Sequence, residues 1–140
     1  MPLAETGTRN RVLVVDDEVG TLRLMEVVFQ MEGFDVVTAR GGEEALTLVG
    51  SCDIVVLDLM MPGMDGLSVL REIRADPTVA DLPVLMFTAR TDTLAAKLAE
   101  TAGVSGFHTK PVDIDRLVAD VRHLLDVRAA KATPARTADD

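Results

Sequence analysis

Short, largely apolar runs that alternate with longer segments of helical period restrict what this chain can fold into more than any other feature. The runs are "RVLVV" (11–15), "FDVVTA" (34–39), "DIVVLD" (53–58), "PVLMFT" (83–88) and a shorter one within "VSGFHTK" (104–110). A strand with one wet face alternates apolar and polar residues. Strands apolar at successive positions must be covered on both faces, as in a parallel sheet. Between the runs lie a helix from Val19 to Glu32 closed by Gly33, a short helix over "GGEEALTLV", and a third over Gly66 to Ala75. A weaker helix follows in "TDTLAAKLAETAG". In the last helix Ile114, Leu117, Val118, Val121, Leu124 and Leu125 fall on one stripe. Five β–α units result, and the expected class is α/β with a doubly wound, five-stranded parallel sheet.

Residues 128–140, "RAAKATPARTADD", lose the periodicity and read as a flexible tail, and residues 1–8 read as a flexible N-terminus. The folded domain is expected over 9–127. A tail this short cannot build the core of a further domain, so the chain is expected to be either a stand-alone domain or one cut from a longer protein. In the stand-alone case it is expected to act through protein–protein contact rather than DNA binding.

Hydrophobic residues are 48% of the chain and charged residues 26%, which suits a soluble domain, and only 3% are aromatic. The formal net charge of −9 argues against a nucleic-acid or anionic-membrane surface, which would need a basic patch. Cys52 is the single cysteine, so no intrachain disulfide can form, and it reads as a small half-buried residue before a strand. Neither a signal peptide nor a membrane-length apolar run is visible. The expected location is the cytoplasm.

The polar residues fall where the strands end. The first apolar run ends in Asp16-Asp17, the third in Asp58 and the fourth in Thr88, and the fifth runs into Lys110. Open α/β sheets bind ligands beyond the carboxyl ends of their strands, where the strand order reverses. If strands one and three are neighbours there, Asp16, Asp17 and Asp58 converge. Clustered carboxylates repel and need neutralising. Oxygen ligands with no His or Cys nearby favour Mg²⁺ over Zn²⁺. The metal and Lys110 together would bring the site near neutrality and let it accept a phosphoryl group. Asp58 is then the candidate nucleophile, and Thr88 a donor to a phosphate oxygen. Any one of these residues alone reads as a turn former or a surface group. Their joint placement carries the inference.

"VLVVDDE", "DIVVLDLMMPGMDG", "VLMFTAR" and "GFHTKPVDIDRL", in this order, resemble the receiver domain of two-component response regulators over roughly residues 9 to 127. The resemblance implies a flavodoxin-like (βα)5 fold with strand order 2-1-3-4-5. It implies that Asp16, Asp17, Asp58 and the backbone carbonyl of Met60 hold Mg²⁺, and that Asp58 is the phosphorylated residue. It makes Thr88 and Lys110 the phosphate-binding pair, and Thr88 with Phe107 the switch. The Lys110–Pro111 bond resembles one that is commonly cis. The implied donor is a sensor histidine kinase or a histidine phosphotransfer protein. The implied output is a downstream protein effector, or a second copy of the chain, on the face formed by the fourth helix, fifth strand and fifth helix. The chain is thus expected to be a phosphoacceptor that assists its own phosphorylation and dephosphorylation, not an enzyme acting on others. Met60 and Arg90 stand where attacking water would approach, and the apolar Met60 predicts slow loss of phosphate.

Two other classes compete. A haloacid-dehalogenase-type phosphatase also uses a strand-end Asp, but its second acidic residue would fall at Met60, which cannot donate a proton. A receiver-like binding module that is never phosphorylated would be expected to lack one of the acids or the lysine, and this chain has all of them. His108 and His123 read as ordinary partly exposed residues, not phosphate carriers.

Overall fold

The computed structural model describes residues 9–88 and 93–139, with side chains except at position 93 and over 132–139. The strands are β1 (Arg11–Val15), β2 (Asp35–Ala39), β3 (Ile54–Asp58), β4 (Val84–Thr88) and β5 (Gly106–Thr109). The helices are α1 (Val19–Met31), α2 (Gly42–Leu48), α3 (Gly66–Ala75), α4 (Thr93–Ala102) and α5 (Ile114–Asp139). All strand pairs are parallel, in the order β2-β1-β3-β4-β5.

The double-sided apolar strands do what their composition requires. Leu13, Val15, Val55, Leu57, Val84 and Met86 point to the face carrying Ala45 of α2, Leu70 and Ile73 of α3 and Ala99 of α4. Val12, Val14, Ile54, Val56, Leu85 and Phe87 point to the other, against Leu22, Met25 and Phe29 of α1 and Leu117 and Val121 of α5. Successive residues thus serve opposite cores, as the strand period of two dictates. Each of these valine, leucine, isoleucine, methionine and phenylalanine side chains contributes about 1.5–3 kcal/mol by leaving water.

Two glycines shape the connections. Gly33 has φ of 96° just past α1, the left-handed geometry expected of a helix stop. Gly66 opens α3 where any Cβ would collide with the Asp58 carbonyl oxygen and lie 2.8 Å from the Leu59 Cα. Its N–H donates to the Leu59 carbonyl at 2.9 Å. The chain after β3 therefore folds back tightly over the residue that ends the strand.

Two expectations change. The tail is helical: α5 runs on to Asp139, through Pro134, which cannot donate a helical N–H. Extending a helix costs little once it is nucleated, and the segment is rich in alanine, so no apolar stripe is needed. Cys52 is buried rather than half-buried, with its Sγ donating to the Leu48 carbonyl at 3.3 Å. The Lys110–Pro111 bond is cis. The flexible N-terminus expected over 1–8, and Arg90, lie outside the described residues.

Candidate functional site

The order β2-β1-β3 places the ends of β1 and β3 side by side, with Val15 opposite Leu57. Asp16 follows the first and Asp58 closes the second. Both are buried, at 0% and 3% exposure, while Asp17 beside them is exposed. One carboxylate oxygen from each of Asp16, Asp17 and Asp58 lies within 4.8 Å of the others.

Each buried carboxylate uses its two oxygens differently. Asp16 Oδ1 accepts the Glu18 N–H at 2.9 Å, and Asp58 Oδ1 accepts the Met60 N–H at 3.1 Å. These are the turns that an Asp after a strand commonly makes. The Oδ2 atoms are then left to face Lys110, whose Nζ is 3.3 Å from Asp16 Oδ2 and 3.7 Å from Asp58 Oδ2. Turn formation and site formation are thus shared between the oxygens of one side chain.

Lys110 arrives from the far end of the sheet. Its backbone N–H donates to the Thr88 carbonyl at 2.6 Å, which ties the β5 end to the β4 end. Its ammonium lies 5.0 Å from the centre of the buried Phe87 ring. Thr88 is buried at the tip of β4, one residue beyond the partner of Asp58, and pairs in register with Thr109. Phe107 is half-buried in β5 and packs on the core cluster beneath α3 and α4. It is not one of the residues gathered around the acids.

Asp16, Asp17, Glu18, Asp58, Met60 and Lys110 line an open depression of about 400 Å³. One lysine faces at least three carboxylates there, and the imbalance is visible in Asp58. Burial, then the charge of Asp16, push its pKa up to about 6, against the Met60 N–H and Lys110, which pull it down. Hard oxygen donors with uncompensated negative charge fit a small divalent cation such as Mg²⁺. Sequence reasoning missed Glu18, though it directly follows the acidic pair, and the role of Phe87 as a neighbour of Lys110. It also missed the bond from His108 Nε2 to Asp120 Oδ2 at 2.8 Å, which joins β5 to α5. His123 is exposed on α5.

Comparison with known proteins agrees with this architecture. Residues 12–122 match the family model described as the response regulator receiver domain. The DNA-binding response regulator MtrA of Mycobacterium tuberculosis is 42% identical over 116 residues, covering 81% of this chain and 50% of that protein. The response regulator PleD of Caulobacter vibrioides is 41% identical over 116 residues, covering 81% of this chain and 26% of that protein. The chain therefore spans half or less of the length of these relatives. A crystal structure of a response regulator receiver protein from Pseudomonas putida superposes with a TM-score of 0.79 at 32% identity, covering 83% of this chain and 98% of that one. A putative response regulator from Chloroflexus aurantiacus gives 0.80 at 31%, covering 85% and 99%. With its sheet order, its strand-end acids and these matches, the chain belongs to the receiver domain family of two-component response regulators.

Proposed function

We propose that this receiver accepts a phosphoryl group on Asp58 from a phosphohistidine of a sensor kinase or a phosphotransfer protein. The observation that carries the reading is the gathering of Asp16, Asp17 and Asp58 within 4.8 Å, with the Lys110 ammonium 3.7 Å from the acceptor carboxylate.

With a pKa of about 6, Asp58 is mostly ionised at neutral pH, and burial leaves it weakly solvated, which suits a nucleophile. A carboxylate oxygen of Asp58 forms a bond to phosphorus as the phosphorus–nitrogen bond of the donor breaks, and the released imidazole nitrogen takes a proton from solvent. Mg²⁺ held by Asp16, Asp17, Asp58 and the Met60 carbonyl would offset charge on the carboxylates and the incoming group. Lys110 pairs with a phosphoryl oxygen, and the Thr88 hydroxyl donates to another. Phe107 turns inward as Thr88 shifts, and the change is read on the face of α4, β5 and α5 around Leu94, Lys97, Phe107 and Arg116. A protein effector or a second copy of the chain binds that face. The domain assists the gain and loss of its own phosphate and acts on no other substrate. Among the described residues no helix is long and apolar enough to cross a membrane. A cytoplasmic location belongs to the same proposal, because it follows from the receiver family and not from that absence.

Intact-mass analysis after acetyl phosphate and Mg²⁺ tests the chemistry. One phosphoryl group is expected on the wild type, and none on Asp58→Asn or without the metal. An unmodified wild type would favour the binding-module alternative. Amide NMR with beryllofluoride and Mg²⁺ tests the switch, with shifts expected at Phe107 as well as at the site.

A further inference from the structure

The mechanism above uses Lys110 and leaves unexplained what holds it. We propose that Phe87 is its positioning residue: the ring is the platform that keeps the Lys110 ammonium beside the acceptor. This rests on the acceptor reading of Asp58.

Phe87 occupies an unusual node. It is the register partner of Asp58 on the neighbouring strand, and its carbonyl accepts the N–H of Leu59, the residue after the acceptor, at 2.9 Å. Its ring is fully buried, with the Lys110 Nζ 5.0 Å from its centre, inside the range of a cation–π contact. The next residue, Thr88, holds the Lys110 backbone at 2.6 Å. Two consecutive β4 residues therefore fix the lysine, one through its backbone and one through its charged end.

A core position needs only apolar volume. Valine, leucine or methionine would fill the place of Phe87, and the rest of β4 consists of such residues before Thr88. Only an aromatic ring also attracts a cation. That attraction matters most once a divalent cation occupies the acids. Asp16 and Asp58, which draw Lys110 inward at 3.3 and 3.7 Å, are then largely neutralised and pull on it less. The ring is uncharged and is not consumed by the metal. It keeps Lys110 in place at the moment a phosphoryl oxygen needs it. The side chain is only 26% exposed, so the contact is partly sheltered from water, where such contacts strengthen.

The test weakens the ring face without changing its shape. Phenylalanine carrying one, two or three fluorine atoms is inserted at position 87 alone, in the full chain. Phosphorylation by phosphoramidate, a small donor needing no partner protein, is followed at saturating Mg²⁺. The rate constant is expected to fall stepwise, by about threefold to tenfold for the trifluoro ring. Mg²⁺ affinity, set by the carboxylates, stays unchanged. A rate that is flat across the series, with a reactive wild type, overturns the role of Phe87 and leaves the acceptor reading standing. A wild type that takes no phosphoryl group overturns both. Proton NMR of the Lys110 ε-methylene, one of three lysines in the chain, reads the platform directly. An upfield ring-current shift, lost in Phe87→Leu, is expected, and a coil-like shift in the wild type overturns the proposal.

Discussion

The two poles of the sheet carry similar residue types and use them in opposite ways. At the amino pole, Asp35 faces Arg9 at 3.9 Å and Arg11 at 3.7 Å, while Asp53 accepts the Arg11 backbone N–H at 2.7 Å and faces Arg128 at 3.7 Å. These side chains are 40–47% exposed and each acid has a cation. At the carboxyl pole, two fully or nearly buried acids, with Asp17 and Glu18 at the rim, face Lys110 as their one cation among the described residues. Exposed, balanced pairs add little and ask for nothing. Buried, unbalanced acids are costly until something positive arrives. The contrast separates charge used to hold a fold from charge held ready for a ligand.

The largest effect should come from removing one carboxylate at each pole. Asp58→Asn should abolish the proposed phosphoryl acceptance, yet stabilise the fold at pH 7.5 without metal, by about 2–3 kcal/mol. The sign follows from a folded pKa raised from 3.8 to about 6. The folded state binds this proton more tightly than the unfolded chain does. Wild-type stability therefore falls as pH climbs through that window, and the advantage of the amide vanishes below pH 3.8. Asp53→Asn should instead destabilise by about 1 kcal/mol, by weakening its bonds to Arg11 and Arg128. Urea melts of both variants across pH decide it, and two changes of the same sign would break the comparison.

Next in size is the response to metal. Mg²⁺ at a hundred times its dissociation constant should stabilise the wild type by about 2.7 kcal/mol. Asp16→Ala with Asp17→Ala should lose most of that gain, whereas Asp35→Ala should keep it. A thermal melt with and without Mg²⁺ reads the difference.

The smallest effect concerns the lip of the depression. Met60 is 56% exposed there and presents an apolar chain to incoming water. Met60→Asn should shorten the lifetime of the phosphorylated form several-fold, as followed by intact mass after removal of the donor, with little change in stability. An unchanged lifetime would show that Met60 does not screen the acceptor.

Much of this is legible in the sequence alone. The five strands fall within one or two residues of their apolar runs, and α3 spans the predicted Gly66–Ala75, because local period and punctuation suffice where a segment is buried on a defined face. The tail misled because its helix rests on alanine and propagation rather than on an apolar stripe. Glu18 and Phe87 were missed for a different reason: each looks ordinary in its own segment, and only the neighbours make it matter.

Sequence by itself determined the alternation of elements, the two-sided cores and the kinds of side chain that end the strands, since each depends on residues close together in the chain. Tertiary structure alone decided that Lys110 meets Asp16 across 94 residues, that Asp16 is sealed from solvent, and that Phe87 lies beneath the ammonium. Burial and electrostatic compensation are sums over neighbours in space, and those neighbours do not exist until the sheet has formed in its final order.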